Sequence, residues 1–337
     1  MISVIIPVKD GGDALRRCLA AIAAQRVHEP VEVLVIDSGS SDNSRELARS
    51  RGARVLEVDS SSFRHGATRN WAAEHARGEV LVFTTQDAFA ENDRWLERLC
   101  APLRADEGLA GVYGRQIAHA DAAPPERFFL EFLYGSGPRV QRVADAAELS
   151  LRTTLFSNVN SAMHRRVWMQ FPFADDLYFL EDQDWSRRVL LAGYAIRYEP
   201  EAAVRHSHAY TVTTAFKRFF DTGASAERGF LAGGLSSSRV LMREALRYAR
   251  EEVAWLIRTG QGLSIPYAVA YEFAKFLGVQ MGARHRVLPL WLKRRCSSFP
   301  GYWEHQPEAA ETHPAQPDQT ASAQKTRATS ESGSDSP

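Results

Sequence analysis

Cysteine is scarce: Cys18, Cys100 and Cys296 are the only three in 337 residues, far apart and in no paired spacing. That argues against a disulfide framework and for a reduced, cytoplasmic chain. No apolar run reaches the ~18 residues that cross a bilayer, so any membrane contact is expected to be peripheral. The start, Met1-Ile2-Ser3-Val4-Ile5-Ile6-Pro7, lacks a basic leader and a small-residue cleavage site, and reads as a strand rather than a signal peptide. Charge of one sign is lacking too. Lys and Arg number 41, Asp and Glu 41, so no global field points to nucleic acid. No Gly-x-Gly-x-x-Gly follows the first strand, and Gly-x-x-x-x-Gly-Lys-Ser/Thr occurs nowhere, which disfavours a dinucleotide fold and a phosphate-loop ATPase. What remains, 45% hydrophobic and 24% charged, is the composition of a soluble globular protein of two or three units.

The chain is organised around Val80-Leu81-Val82-Phe83, an apolar run bounded by Gly78 and by Thr84-Thr85-Gln86-Asp87. So short a run fits a central parallel strand covered on both faces. Ligands collect outside the carboxyl ends of such strands, where Asp87 would meet a metal-bound, phosphorylated ligand or merely cap a turn. Residues 2–7, 31–36 and 55–58 read as further strands. Between them, helices are expected from Ala14 capped by Asp13, from Ser41 or Asp42 to about Arg51, and from Ala67 to Ala76. This alternation predicts an α/β fold with a doubly wound, mostly parallel sheet. Right-handed crossovers bring the ends after Pro7, Ile36 and Phe83 to one edge. There Asp37 is suited to accept from the imide N–H of uracil or thymine, with the amides near Ser38 facing phosphate, unless Asp37-Ser38-Gly39-Ser40 is an ordinary turn. Around Gly66, at a helix start, stand Arg64, His65, Arg69 and Asn70. Cations there oppose the helix dipole unless an anion lies between them, and a diphosphate held by forked arginine bonds would be such an anion.

The middle third is less regular. Pro124-Pro125 and 135–138 read as loops around an aromatic segment, and 153–161 as a strand whose polar ends suit sugar hydroxyls. Glu181-Asp182-Gln183-Asp184-Trp185 opens a helix that Gly193 closes. Its carboxylates serve the helix dipole or supply a general base for an acceptor hydroxyl. Alternation puts His206 and His208 on one face of an extended segment, which suits metal or phosphate contact. From Arg239 to Cys296 the chain reads as helices carrying eleven positive and four negative residues among many aromatics. They form either a solvated cap or a surface for an anionic membrane. The tail, rich in Ala, Ser, Thr, Gln and Pro, is expected to be disordered. The expected parts are 1–115 for the nucleotide sugar, 116–225 for acceptor and catalysis, a basic helical extension over 226–303, and the tail over 304–337.

In their order, Val4-Ile5-Ile6-Pro7-Val8, Val35 to Asp42, Thr85-Gln86-Asp87, Glu181 to Trp185 and Val204-Arg205-His206 resemble family 2 of the inverting, nucleotide-sugar-dependent glycosyltransferases. The resemblance runs from Ile2 to about Tyr210 and implies a GT-A fold with a C-terminal helical extension. It implies Asp37 at the nucleobase, with Pro7 and Ser38 beside it, and Asp87 and His206 around a Mg²⁺ or Mn²⁺ ion and the donor diphosphate. It also implies Asp182 of the Glu181-Asp182 pair as catalytic base. Gln86 and the Arg64, His65, Arg69, Asn70 group are expected to contact the donor, and Asp184, Trp185 and His208 the acceptor. One position departs: Thr85 stands where the family's Asp-x-Asp motif has its first Asp, which throws more of the metal binding onto His206. A narrower resemblance, carried by 63–70, 85–88, 200–208 and 218–223 and extending to about residue 303, is to bacterial rhamnosyltransferases that use dTDP-L-rhamnose. The expected function is transfer of that sugar to a saccharide or lipid-linked saccharide in cell-surface polysaccharide assembly, at the cytoplasmic face of the inner membrane. A different UDP- or GDP-sugar donor and a non-catalytic nucleotide-sugar or glycan-binding module are the alternatives. A sugar-phosphate nucleotidyltransferase would need a Gly-rich, basic loop after the first strand, and a processive synthase spanning helices and Gln-x-x-Arg-Trp.

Overall fold

The computed structural model describes residues 1–177, 179–226 and 238–304. Strand and helix alternate as β1 (Ile2–Val8), α1 (Gly12–Ala23), β2 (Val31–Asp37), α2 (Ser44–Ser50), β3 (Arg54–Glu57), α3 (His65–His75) and β4 (Val80–Thr84). There follow β5 (Phe89–Ala90), α4 (Trp95–Ala105), β6 (Leu109–Ile117), α5 (Pro124–Leu133), β7 (Arg139–Gln141), β8 (Asn160–His164), α6 (Arg165–Gln170), α7 (Glu181–Leu191) and β9 (Ala195–Arg205). The extension is α8 (Val212–Ser225), α9 (Ser238–Arg258), α10 (Ile265–Ala283) and α11 (Leu290–Cys296). The expected tail from 305 onward, and 227–237 of the extension, lie outside the described residues.

One sheet runs in the order β3-β2-β1-β4-β8-β6-β9-β5, with β7 on β9. β1 to β4 are mutually parallel, β8 enters antiparallel between β4 and β6, and β6 pairs parallel with β9. Alternate side chains feed opposite cores. Val4 and Ile6 pack with Leu15 and Leu19 of α1, whereas Ile5, Leu81 and Phe83 meet Tyr113 and Trp185 on the other side. Side chains so fully buried stabilise by about 1.5–3 kcal/mol each, which is why these strands read plainly from the sequence.

Local expectations shift in several places. Asp13 does not cap α1. The N-cap is Gly11, and the Asp13 carboxylate pairs with Arg16 a turn later. The second helix starts at Ser44, and Asp42 accepts from both Gly12 and Ser44 N–H, stitching two helix starts together. Pro124-Pro125 begins α5 instead of marking a loop, since proline's fixed φ and missing N–H suit a first turn. Strand β8 covers only the end of the expected 153–161 stretch. The Thr153 and Thr154 hydroxyls bond back to Ser150 and hold the earlier part in a turn.

In the extension α10 lies along α8 with almost no space between backbones. A Cβ on Gly278 or Gly282 would sit 2.5 or 2.0 Å from a carbonyl oxygen of Phe216 or Phe220, and one on Gly223 would meet Val279 at 2.3 Å. This reciprocal glycine contact fixes α10 to the helix that leaves the end of β9.

Candidate active site

The loops after β1, β2 and β4 meet at one edge of the sheet. The Gln86 amide clasps Lys9, accepting from its N–H at 2.9 Å and donating to its carbonyl at 3.1 Å. Asp10 accepts from the Ser41 N–H and hydroxyl, and the Ser44 hydroxyl accepts from Gly11 N–H. Asp37, at the end of β2, is buried. Its Oδ1 accepts from Gly39 and Ser40 N–H at 3.1 and 3.0 Å and lies 3.9 Å from Arg45. Its Oδ2 is buried without a partner. An unmet carboxylate oxygen is costly, and a ligand N–H at this corner would satisfy it. The neighbouring Ser38 hydroxyl is committed to the Val8 carbonyl at 3.1 Å, and Pro7, half-buried, faces Ile36 across the ladder.

Three residues past β4, Asp87 meets the histidines that follow β9. His206 Nε2 lies 3.8 Å from Asp87 Oδ1 and His208 Nδ1 4.0 Å from Oδ2, with one ligand atom from each of the three residues lying within 4.8 Å of the others. His208, expected at the acceptor, lies against Asp87 beside His206. Behind His206, Gln116 Oε1 is 2.9 Å from Nδ1, and the Gln116 amide nitrogen donates to Tyr134 and Ser157. An amide oxygen only accepts, so Nδ1 carries the proton and Nε2 presents a lone pair. Burial pushes the His206 imidazolium down to about 4, so the ring is neutral at physiological pH, the form that binds a metal. One carboxylate and two imidazoles fit a divalent cation, and the nitrogens suit Mn²⁺ better than Mg²⁺, which prefers oxygen. Gln116 escaped the sequence reading because nothing local marks a glutamine in β6 as the partner of a histidine at the end of β9. Gln116→Leu is expected to raise the Mn²⁺ concentration for half-saturation by ~10–100-fold and, through the lost hydrogen bonds to Tyr134 and Ser157, to lower the melting temperature modestly. Calorimetric Mn²⁺ titration checks this, and an unchanged affinity would mean that Gln116 does not orient the ring.

The second half of the site is the start of α7, entered through Leu180, whose φ of 65° is left-handed. Such a backbone costs a bulky residue about 1–3 kcal/mol and is characteristic of functional sites. Glu181 is buried and accepts from Arg69 at 2.8 Å and from the Asn158 amide at 3.3 Å. Burial pushes Glu181 up, but the adjacent Arg69 guanidinium, His65 and the hydrogen bonds it accepts together outweigh burial, leaving the carboxyl below its ordinary range. Asp182 Oδ2 accepts from Asn158 N–H at 3.2 Å and Oδ1 from Gln183 N–H at 2.8 Å. Burial, and then the negative charge of Glu181, push Asp182 up to about 7. One acid of the pair is thereby held ionised as structure, and the other is poised to exchange a proton.

The cluster around Gly66 takes a different part from the one expected. The anion among its cations is Glu181. Arg69 gives Nη1 to that carboxylate, Arg64 donates to the Ser61 and Phe63 carbonyls, and His65, pushed down to about 4 by burial, is a neutral ring between Phe63 and Phe179. Asn70 accepts from Trp168 and from Phe173 N–H, both at 3.0 Å, and donates to the Phe173 carbonyl at 2.8 Å. Its amide holds α3 against the chain before α7. Asp184 and Trp185 are not at an acceptor surface either. Asp184 is buried and bonds Arg188 Nε at 2.8 Å, and Trp185 is buried beside Phe156 at 4.8 Å. Helical spacing explains this, since 181, 184 and 185 share the inward face and 182 points elsewhere.

The two halves are joined by one short stretch of backbone. Asn158, which holds Asp182, lies two residues before Asn160, the partner of Thr84 at the end of β4. Ser157, just before it, accepts from the same Gln116 that holds His206. The acid poised near neutrality and the Asp–His–His group therefore share one end of the sheet.

Known proteins resemble this chain in sequence and in fold. The sequence model described as Glycosyl transferase family 2 matches residues 3–169. The O-antigen chain rhamnosyltransferase WbaN of Salmonella anatum is 33% identical over 311 residues, 90% of this chain and 96% of the relative. RfbN of Salmonella typhimurium, also an O-antigen chain rhamnosyltransferase, is 34% identical over 313 residues with the same coverage. Among solved structures, the mannosyltransferase PcManGT from Pyrobaculum calidifontis, in complex with GDP-Man and Mn²⁺, aligns at a TM-score of 0.54, covering 83% of this chain and 86% of its own, at 19% identity; that likeness is one of fold alone. With relatives matched at 33 and 34% identity over nine-tenths of its length and a sheet of the same fold, the chain belongs to glycosyl transferase family 2 and is a glycosyltransferase of GT-A fold.

Proposed function

We propose that the protein transfers L-rhamnose from dTDP-L-rhamnose to a hydroxyl of a saccharide or lipid-linked saccharide in cell-surface polysaccharide assembly, inverting the anomeric carbon. The observation that carries the reaction is Asp182, raised to about 7 and tied through Asn158 to the sheet end that holds Asp87, His206 and His208. The rhamnose donor rests on likeness to the two Salmonella enzymes. In the step, the acceptor oxygen forms its bond to the anomeric carbon while Asp182 takes the hydroxyl proton. The bond from that carbon to the diphosphate oxygen breaks, and its electron pair leaves with the nucleoside diphosphate. A divalent cation held by Asp87, His206 and His208 would supply positive charge opposite the leaving group. Asp37 Oδ2 would accept from the thymine imide N–H. The cytoplasm is the proposed compartment, in keeping with Cys18, Cys100 and Cys296, all free and buried.

Incubation with radiolabelled dTDP-L-rhamnose, UDP-sugars and GDP-sugars in the presence of a membrane extract tests the donor. Label is expected in the acceptor only from dTDP-L-rhamnose, and transfer from a UDP- or GDP-sugar instead would overturn that part. Asp37→Ala is expected to weaken dTDP binding ~10–100-fold, the loss of a hydrogen bond to a charged group. Calorimetry with dTDP and Mn²⁺ reads this directly.

A further inference from the structure

We infer that the outward face of α10, continued by α11, is a docking surface for an anionic lipid bilayer. α10 is mostly apolar, with Glu272, Lys275 and Gln280 its polar side chains other than tyrosine. Its inner face, with Ala268, Tyr271, Ala274, Gly278 and Gly282, is buried. Its outer face carries Val269, Phe273 and Leu277 at successive four-residue steps, exposed by 58, 65 and 40%. A helix at a solvated surface normally carries charge there, and a contiguous exposed apolar face marks an interaction site. Further exposed apolar side chains flank the helix in sequence, Leu263 before it and Val287 and Trp291 after it.

The surrounding charge selects the occupant. From Thr259 to Trp303 the sole acidic residue is Glu272, and it is turned inward, 2.9 Å from Lys275 Nζ. Arg284, Arg286, Lys293, Arg294 and Arg295 follow α10, with Arg294 reaching Glu304 at 2.6 Å. An apolar stripe flanked by arginines and an exposed tryptophan matches the interface of an anionic membrane, where the ring and alkyl groups enter the headgroup layer and the cations stay among the phosphates. At 19 residues α10 would lie along the surface for about 28 Å. No helix among the described residues is long and apolar enough to cross a membrane. Docking would also fix the site's position. α10 packs on α8 through the glycine contact, and Tyr267 donates to the Tyr210 carbonyl at 3.3 Å, two residues past His208. A membrane under α10 therefore sets the height of the metal-site histidines above the lipid. This surface stands whether or not the donor is dTDP-L-rhamnose.

Cosedimentation of the full chain with vesicles of phosphatidylcholine, alone or mixed with phosphatidylglycerol, tests it, with sedimentation velocity for self-association and thermal melting as the fold control. Binding is expected only to the mixed vesicles and to weaken as salt rises. Phe273→Glu, and separately the pair Arg294→Ala and Arg295→Ala, should each reduce it roughly tenfold or more at an unchanged melting temperature. Phe273→Glu bound as tightly as the parent chain would overturn the assignment of the face. So would a chain that ignores both vesicle types but forms a dimer that Phe273→Glu dissociates, since the occupant would then be a second copy.

Discussion

Asp182→Asn is expected to lower kcat/KM by ~10²–10⁴-fold while dTDP and Mn²⁺ bind as before. The amide keeps the size of the carboxylate and can still accept from one of the Asn158 and Gln183 N–H groups, but it cannot take the acceptor's proton. The pH profile should carry the same signature. The active form is the carboxylate, and burial with the Glu181 charge has moved its titration from 3.8 to about 7, so the rate should climb through pH ~7 and level off above it. The linkage runs opposite to that of an ordinary salt-bridged carboxylate. With the folded value raised, the folded chain binds the extra proton between 3.8 and about 7. The group's contribution to stability is therefore fully present below that window and is lost as pH rises through it. At neutral pH the Asn variant should melt at the same temperature as the parent or above it. A variant that transfers sugar at the parental rate would remove Asp182 from the role of base.

Arg69→Met should have the opposite profile, with a large loss of stability. It strands the buried Glu181 carboxylate, whose Arg69 partner lies 2.8 Å away with both side chains about 95% buried. Removing one member of such a pair costs about 3–5 kcal/mol, because the remaining charge has neither water nor a counter-ion. Both α3 and the start of α7 should loosen, so activity falls too, but only as a consequence. Arg69→Met combined with Glu181→Leu should recover much of the loss, since no buried charge is left. Urea unfolding of the two variants measures this. A single variant as stable as the parent would mean that the pair does not hold α7 in place.

The N-terminal half of the fold was legible because β1, β2 and β4 are buried on both faces, and continuous apolar runs that end in polar residues leave few alternatives. Asp37, Asp87 and Asp182 were legible as polar residues at the ends or starts of such elements, and the spacing of His206 and His208 gave them a common face. The 153–161 stretch misled because threonine favours strands on average, whereas here Thr153 and Thr154 bond their own backbone. Asp184 and Trp185 read as site residues because they belong to the Glu181 to Trp185 motif; the helical period turns them inward. The partnership of Arg69 with Glu181, 112 residues apart, and that of Gln116 with His206, 90 residues apart, had no local trace. Both are set by how α3, α7, β6 and β9 pack.

The account depends on Asp182 facing the same donor that Asp87, His206 and His208 hold. Anomalous diffraction at the manganese edge from crystals grown with dTDP and Mn²⁺ tests this most directly. The predicted result is a manganese peak ligated by Asp87, His206 and His208 and by the diphosphate, with Asp182 opening onto the space where the sugar would extend. A metal bound elsewhere, or an Asp182 carboxylate turned away from the diphosphate, would contradict it.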